Sequence, residues 1–213
     1  MSHTPYPPSY YAASANPAPP RPALQGAHET DVCVIGAGYT GISAALFLLE
    51  QGFRVTDMEA AQVGFGASGR NGGQSVNRYS RDLDVVEKQV GPQQAQLLGA
   101  MAFEGGRIIR ERVQRYGIDC DLKDGGVFGA VNHKQLVQLE QQKALWERYG
   151  YDQLELLDAG AIRKVVNTEL YVGGMLDRGG GHIHPLNLVL GEAAAVESLG
   201  GIIHEQSAAV RVQ

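Results

Sequence analysis

The chain has 213 residues, a formal net charge of −5 and an apolar fraction of 44%. That length allows one sizeable core, or a core and part of a second domain. The mild acidity argues against a general nucleic-acid binder, which would carry a basic patch. The longest apolar run, residues 42–49, is too short to span a bilayer, and no signal peptide is evident. Cys33 and Cys120 lie outside any metal-binding spacing, and they are expected to be reduced thiols in a cytoplasmic protein.

The N-terminal segment differs from the rest in composition, because seven of the nine prolines lie within the first 22 positions. Proline fixes φ and lacks an N–H, so this segment is predicted to form neither a helix nor a central strand. Residues 1–28 are therefore interpreted as a Pro-rich extended tail. Two alternatives stay open: Tyr6, Tyr10 and Tyr11 dock it on a surface, or it is a disordered leader.

A β-α-β unit is predicted directly after this tail. The β-rich run 31–35 leads into a turn at 36–41 and an apolar helix at 42–50, which Gly52 closes as a C-cap. A second strand follows at 55–59. Such a unit implies a parallel pair of strands joined by a right-handed crossover.

The rest of the chain alternates between helical and strand-like segments. Helices are predicted at 92–116, 133–149, 158–166 and 185–199, with proline in the first turn of two and Asp158 as an N-cap. Strands are predicted at 126–131, 171–176, 202–204 and 208–212, with a turn at 179–181. Gly105 and Gly106 interrupt the first of these helices, and the sequence leaves open whether they kink it or permit close packing.

The turn after the first strand has the dinucleotide-binding spacing G-x-G-x-x-G, formed by Gly36, Ala37, Gly38, Tyr39, Thr40 and Gly41. It lies between a strand and a helix, where the mechanism requires it. The first glycine permits the tight turn, the second lets a pyrophosphate approach the backbone, and the third lets the helix pack on the sheet. The helix N-terminus then offers N–H groups and a partial positive charge to the phosphates.

Two acidic residues lie in the second predicted strand. Glu59 ends it, 18 residues after Gly41, where a carboxylate can accept hydrogen bonds from an adenosine ribose. Asp57 disagrees with the pattern, because a buried parallel strand is normally apolar and an unpaired buried carboxylate is costly. Its spacing and facing suit the ribose role less well, so Asp57 is interpreted as a source of strain in this strand.

A second glycine loop, residues 64–74, follows the ribose acid. Successive backbone N–H groups in such a loop can form an anion nest, and Ser68, Arg70 and Asn71 add hydrogen-bond donors. A second loop that contacts phosphate or a ring system fits a long ligand such as FAD. An NAD site has no need of it, and the chain lacks the catalytic set of an NAD-linked dehydrogenase.

The turn, Glu59 and the run G-A-S-G-R-N-G-G-Q at residues 66–74 resemble the FAD-dependent amine oxidases of the D-amino-acid oxidase, glycine oxidase and sarcosine oxidase superfamily. Further segments narrow the resemblance to the bacterial members that oxidise gamma-glutamylputrescine; these are residues 9–16, 64–74, 103–106, 108–112 and 180–188. Asp57 departs from the resemblance, since that family has an apolar residue there.

The resemblance implies an α/β fold, with a GR2-type FAD-binding Rossmann-like domain and part of an α+β substrate domain. Residues 29–82 would form the FAD-binding β-α-β core. Residues 83–184 would be a helical and sheet insertion that lies partly in the substrate domain, and residues 185–213 would return to the FAD-binding domain. Members of the family are longer, so the chain is interpreted as an N-terminal half.

The resemblance also implies FAD as the cofactor and assigns its contacts. The three turn glycines hold the pyrophosphate, Glu59 holds the ribose, and the second glycine loop approaches the pyrophosphate or the flavin ring. The predicted FAD-binding residues are Gly36, Ala37, Gly38, Tyr39, Thr40, Gly41, Glu59, Ser68, Gly69, Arg70, Asn71, Gly73, Gln74 and, through its backbone beside the adenine, Val210. No catalytic side chain is predicted.

The implied reaction oxidises a primary amine C–N bond to an aldehyde, with release of ammonia and hydrogen peroxide. The expected partners are a small-molecule amine and O₂, with neither nucleic acid nor membrane. Another amine or amino acid oxidase of the same superfamily, and an inactive truncated fragment, stay open as alternatives. His182 and His184 are spaced like metal ligands on a strand, but no third ligand is evident, so no metal site is predicted and capping of the helix at Pro185 is favoured.

Overall fold

Strands and helices alternate along the chain in a computed structural model that describes residues 5–212. The chain divides into two units. The first unit consists of residues 1–73, 112–121 and 183–213, and the second unit consists of residues 74–111 and 122–182. Each unit is built around its own sheet.

The first unit contains a parallel three-stranded sheet. Its strands are β1 (Val32–Ile35), β2 (Val55–Met58) and β7 (Ile202–His204), and they lie side by side in the order β1-β2-β7. Its helices are α1 (Tyr10–Ser14), α2 (Tyr39–Glu50) and α7 (Pro185–Ser198), together with the last turn of a longer helix at residues 112–116. The parallel pairing of β1 with β2 around α2 confirms the predicted β-α-β unit.

Apolar side chains from the sheet, α2 and α7 form the core of the first unit. The largest fully buried members are Ile42, Leu46, Val63, Leu186, Val189 and Val196. The ends of α2 and α7 follow their sequence signals. Gly52, just beyond α2, takes the left-handed conformation at φ +87° that glycine adopts without a Cβ penalty. His184 caps α7, and Pro185 occupies its first turn.

The second unit contains an antiparallel sheet. Strand β6 (Gly173–His182) pairs with β3 (Gln74–Ser75), β4 (Lys123–Ala130) and β5 (Leu154–Asp158). The helices of this unit are α3 (Leu83–Val90), the part of α4 (Pro92–Tyr116) up to residue 111, α5 (His133–Arg148) and α6 (Ala159–Val165). The predicted helix starts at Pro92 and His133 are confirmed, as is Asp158, whose carboxylate accepts the N–H of Ala161 as an N-cap.

The prediction that the proline-rich segment forms no helix is wrong. Residues 10–14 form α1, and the Ser9 hydroxyl accepts the N–H of Ala12 as its N-cap. The prolines at positions 8 and 17 bracket a window without proline, which leaves room for one helical turn. Tyr6 and Tyr11 pack against the core of the first unit, which confirms the docking alternative for these two residues, whereas Tyr10 is 75% exposed.

Two further predictions about local structure are wrong, and three elements were not predicted. Residues 179–181 are not a turn but lie within β6, where Gly181 faces a neighbouring strand so closely that a Cβ would lie 2.3 Å from the Lys123 carbonyl oxygen. Residues 208–212 form no strand. The elements α3, β3 and β5 had no counterpart in the sequence interpretation, although Leu83, Val86 and Val90 have helical spacing.

One glycine of the pair in α4 serves close packing. The helix is continuous from Pro92 to Tyr116, so it contains no break at Gly105 or Gly106. A Cβ on Gly106 would lie 2.7 Å from Asn77 Oδ1, whereas a Cβ on Gly105 would meet no atom of the described residues within 4 Å. The second glycine is therefore the one that the packing requires.

Candidate cofactor site

The glycine turn between β1 and α2 has the geometry that its sequence predicts. Gly36 lies at φ +102°, a conformation that favours glycine. Gly38 is the N-cap of α2 and brings no side chain to the helix N-terminus. A Cβ on Gly41 would lie 1.8 Å from the Gly36 carbonyl oxygen and 3.2 Å from Val34 Cγ1. Only glycine at this position lets α2 start directly above the strand.

The turn and the second glycine loop lie in contact. Ser68 Oγ accepts the N–H of Tyr39 at 2.9 Å, in the first turn of α2. The Gly64 N–H donates to the Ala37 carbonyl at 2.9 Å. Since a Cβ on Gly38 would lie only 2.9 Å from Ser68 Oγ, glycine is also needed where the two segments meet. Two motifs that are 23 or more positions apart in sequence are thus brought to one place.

Glu59 lies beside the same turn. Its carboxylate accepts the N–H of Ala37 at 2.9 Å and the N–H of Ala61 at 2.8 Å, one with each oxygen. These bonds fix the side chain at the carboxyl end of β2. A carboxylate has about four lone-pair sites, so each oxygen can still accept a hydrogen bond from a ligand hydroxyl. This is the donor-acceptor pattern that a ribose requires.

The second glycine loop is braced from within. It contains a 3-10 turn at Ala67–Gly69, and the Asn71 amide donates to the carbonyls of Ala67 and Ser68 at 3.2 and 2.9 Å. Asn71 Oδ1 in turn accepts the N–H of Gly73 at 2.9 Å. Arg70 is exposed, and its guanidinium lies 5.9 Å from the centroid of the Phe65 ring. The Asn71 side chain therefore fixes the backbone of the loop, and the loop presents the Arg70 cation at its surface.

The remaining predicted residues occupy different surroundings. Thr40 is exposed in the first turn of α2, and Gly69 is buried. Gln74 is exposed at the start of β3, which belongs to the second unit. Val210 is 95% exposed in the terminal segment, although three positions earlier Ser207 N–H donates to the Glu59 carbonyl at 2.8 Å. Their roles toward a cofactor stay predictions.

The Tyr39 hydroxyl provides a contact that the sequence did not indicate. It donates to the Pro185 carbonyl at 2.8 Å and ties the start of α2 to the start of α7. Burial is the main reason why the pKa of this phenol is raised well above its ordinary value. Tyr39 therefore keeps its proton and acts as a hydrogen-bond donor throughout the neutral range.

Asp57 is a fully buried acid in the central strand of the first unit. Its neighbours across β1 and β7 are Val34 and Ile203, and neither carboxyl oxygen has a hydrogen-bond partner among residues 5–212. Burial, and after it the charge of Glu59, raises the pKa of Asp57 from 3.8 to about 7. The unpaired buried carboxyl that the sequence predicted is therefore confirmed.

Replacement of Asp57 with valine is expected to stabilise the protein, and more so as the pH rises. Between pH 3.8 and about 7 the folded state retains a proton that the unfolded state has released. Stability of the wild type therefore falls through this window by about 1.4 kcal/mol per pH unit and levels off above it. Urea unfolding at about pH 5 and about pH 8 should show the valine variant gaining at least about 2 kcal/mol at the higher pH and less at the lower. A variant as stable as the wild type, or less stable, at both pH values would show that Asp57 causes no strain.

His184 acts as a helix cap. Its Nδ1 accepts the N–H of Asn187 at 3.1 Å at the start of α7, which confirms the capping interpretation. Among residues 5–212, no group of three or more histidine, cysteine, aspartate or glutamate side chains is arranged to hold a metal ion. Within the same range, no helix combines the length and apolarity needed to cross a membrane.

Comparison with known proteins decides the family. The model of the DAO family, described as FAD dependent oxidoreductase, matches residues 31–213. The chain belongs to this family. The matched range contains the glycine turn, Glu59 and the second glycine loop, so these segments belong to a fold that binds FAD. The N-terminal segment that contains α1 precedes the matched range.

Two curated relatives are similar along nearly the whole chain. Gamma-glutamylputrescine oxidoreductase of Escherichia coli strain K12 is 59% identical over 205 residues, which cover 96% of this chain and 48% of the relative. The probable oxidoreductase OrdL of Haemophilus influenzae is 43% identical over 203 residues, which cover 95% of this chain and 47% of the relative. The chain therefore spans about half the length of the curated relatives it matches.

Solved structures support the fold. L-amino acid deaminase from Proteus myxofaciens superposes with a TM-score of 0.76 at 19% sequence identity, over 94% of this chain and 43% of that protein. Glycine oxidase from Bacillus cereus ATCC 14579 superposes with a TM-score of 0.63 at 21% identity, over 87% of this chain and 49% of that protein. At these identities the likeness shows the fold alone.

Proposed function

We propose that the first unit binds the adenosine diphosphate part of FAD. The contact between Tyr39 N–H and Ser68 Oγ carries this proposal, because it joins the glycine turn to the second glycine loop at the N-terminus of α2. Backbone N–H groups there would hold the pyrophosphate, with Arg70 as a nearby cation. Glu59 would accept hydrogen bonds from the ribose hydroxyls.

The residues present fit such a ligand in shape as well as in chemistry. A Cβ on Gly36 or Gly66 would meet no atom of the described residues within 4 Å, so the backbone at both positions is open to a close neighbour. The turn residue Ala37 is also fixed from both sides, since its N–H donates to Glu59 and its carbonyl accepts from Gly64. The backbone that would contact the pyrophosphate is thus preorganised.

We further propose that the chain is the N-terminal, cofactor-binding half of an oxidase that acts on a gamma-glutamylputrescine-like primary amine. The 59% identity to the Escherichia coli enzyme supports this substrate class. FAD, when bound, would supply the two-electron oxidation of the amine to an imine, which water hydrolyses to aldehyde and ammonia, and O₂ would take up the two electrons as hydrogen peroxide. This chain's residues would bind and orient the cofactor. A cytoplasmic location stays a prediction.

Anaerobic addition of gamma-glutamylputrescine to the FAD-loaded protein tests the proposed reaction. Bleaching of the visible flavin absorbance, followed by peroxide release on admission of air, is the expected result. Bleaching with other amines or amino acids but not with this one would assign another substrate within the DAO family. A stable flavin spectrum with every amine would instead indicate a cofactor-binding chain without activity.

Replacement of Glu59 with glutamine is expected to weaken FAD binding by about ten- to a hundredfold, because hydrogen bonds to a charged acceptor contribute more than neutral ones. A carboxamide can also accept only one of the N–H groups of Ala37 and Ala61, since its nitrogen is a donor. Fluorescence titration of FAD measures the dissociation constant. Glu169→Gln, at a side chain 85% exposed in the second unit, is the matched control and should bind as the wild type does. Equal affinities of the Glu59 and Glu169 variants would remove Glu59 from the site.

A further inference from the structure

The N-terminal segment, residues 5–28, is anchored to the rest of the first unit at several points. Arg21 Nε and one terminal nitrogen of its guanidinium donate to the two carboxylate oxygens of Glu197 at 2.8 and 2.9 Å. Asn16 N–H donates to Asn187 Oδ1 at 2.8 Å, and its side-chain amide donates to the Asp119 carbonyl at 2.7 Å. Prolines limit the conformations of the unfolded segment, so fixing it costs less entropy than fixing an ordinary tail.

The start of α7 receives this segment. Ser14 Oγ lies 3.1 Å from His184 Nε2, and the Tyr11 ring meets the His184 ring edge-on at 5.0 Å. Because His184 Nδ1 accepts the N–H of Asn187, the neutral ring carries its proton on Nε2 and donates it toward Ser14. Two sequence segments that narrow the family resemblance, residues 9–16 and 180–188, thus meet at His184 and Asn187.

Tyr6 connects the N-terminal segment to the entrance of the second glycine loop. Its hydroxyl donates to the Val63 carbonyl at 2.7 Å, while Glu205 accepts the Val63 N–H at 3.0 Å. Val63 is fully buried, so both of its backbone groups require partners. Burial raises the pKa of Tyr6 to about 12, and the phenol therefore remains a donor at neutral pH.

The Tyr6 ring continues this connection toward a predicted cofactor residue. It stacks on Phe65 with ring centroids 6.4 Å apart and an interplanar angle of 27°. Phe65 in turn carries the guanidinium of Arg70 at 5.9 Å from its centroid. A chain of direct contacts therefore runs from Tyr6 through Phe65 to Arg70.

Tyr11 lies at the other end of the loop. Gly73 is buried at φ +75°, and a Cβ there would lie 3.3 Å from the Tyr11 hydroxyl oxygen and 2.3 Å from the Ile183 carbonyl oxygen. Ile183 N–H donates to the Gly73 carbonyl at 2.9 Å. Tyr6 of the N-terminal segment thus contacts one end of the loop, the Tyr11 hydroxyl lies close to its other end, and the middle, residues 70–72, is exposed.

We propose that the N-terminal segment is a positioning element for cofactor binding, in which Tyr6 and Tyr11 hold the second glycine loop in the shape that receives the FAD pyrophosphate. The inference rests on the proposed FAD site. The segment acts through Val63, Phe65 and Gly73 and has no contact with the reacting atoms. It lies before the range that the DAO family model matches.

Tyr6→Phe in the whole chain tests this inference, with Tyr10→Phe as the matched control. The first change removes the hydroxyl that Val63 needs and keeps the ring on Phe65, whereas the Tyr10 side chain is 75% exposed. We expect Tyr6→Phe to raise the dissociation constant of FAD about tenfold and Tyr10→Phe to leave it unchanged. Hydrogen exchange of the amides at residues 63–73, measured without FAD, should be faster in Tyr6→Phe alone.

The outcomes separate this inference from the FAD proposal. If the wild type binds FAD and the two variants bind it equally well, the positioning role is wrong. A Tyr6 variant with a lower free energy of unfolding but unchanged FAD affinity and loop exchange would also overturn it, since the contact would then be merely structural. A wild type that binds no FAD contradicts the proposed function itself.

Discussion

Replacement of Gly41 with alanine is expected to abolish FAD binding. The added Cβ would lie 1.8 Å from the Gly36 carbonyl oxygen and 3.0 Å from its carbonyl carbon. Both atoms belong to the backbone of the turn, so no side-chain rotation can relieve the overlap, and either α2 or the turn must move. Movement of either would break the contact between Tyr39 N–H and Ser68 that joins the two glycine segments. We expect the dissociation constant to rise by more than about a hundredfold.

Gly105→Ala is the matched control for this change. Its Cβ would meet no atom of the described residues within 4 Å, and in the interior of α4 alanine is favoured over glycine by about 1 kcal/mol. FAD titration together with urea unfolding compares the two variants. We expect Gly105→Ala to bind FAD as the wild type does and to be as stable as the wild type or more so. A Gly41 variant that retained wild-type FAD affinity would show that the turn is not the cofactor site.

Replacement of Arg21 with alanine is expected to cost about 3–5 kcal/mol of stability. The Arg21 side chain is 3% exposed, donates to both oxygens of Glu197 and lies 3.7 Å from a carboxylate oxygen of Glu205, which is 5% exposed. Its removal leaves the buried Glu205 charge without its cation, although the Val63 N–H still donates to it. An arginine in the proline-rich segment thus stabilises the core of the first unit.

Urea unfolding at neutral pH measures this loss, and Arg54→Ala provides the comparison. Arg54 also pairs with a carboxylate, that of Asp31 at 2.8 Å, but its side chain is 70% exposed. Exposed pairs are screened by water and contribute little, so the Arg54 change should be small. Equal losses from the two changes would mean that the N-terminal segment does not pack as described.

Features with a local physical cause could be predicted from the sequence. The glycine turn needs a positive φ at Gly36 and close packing at Gly41. The spacing of the motif places a glycine at both positions, so the sequence predicts both features. The caps at Asp158 and His184 likewise depend on a side chain and an N–H three positions away. Such signals lie within a few residues of each other, so one sequence suffices to read them.

Features that depend on distant partners could not be predicted. The proline content of the N-terminal segment predicted an extended tail and left open whether it docks, since nothing near Arg21 in sequence indicates Glu197, which is 176 positions away. Arg112 lies in the predicted helix at 92–116, and nothing near it in sequence indicates its partners, yet it pairs with the buried Glu192 at 3.2 Å and donates to Ser43 Oγ. Helical spacing shows which residues of α4 share a face. It does not show which of these residues pair with residues that are distant in sequence.

The predicted site residues fall into two groups for the same reason. Gly36, Gly41 and Glu59 lie together because the β-α-β unit itself brings them together, and Ser68 joins them through the Tyr39 N–H. Val210 was placed by resemblance alone, and its side chain is almost fully exposed. Its part in FAD binding stays a prediction.

Competition between FAD and its two halves tests the central claim most directly. The first unit is proposed to recognise the ribose through Glu59 and the pyrophosphate through the glycine turn and Ser68, and both groups belong to the ADP half of FAD. In a fluorescence titration of the purified chain, we expect FAD to bind saturably. ADP should displace the bound FAD, whereas FMN, which lacks the adenosine, should not. Binding that FMN displaces and ADP does not, or a chain that binds no FAD and that FAD does not stabilise against heat, would contradict it.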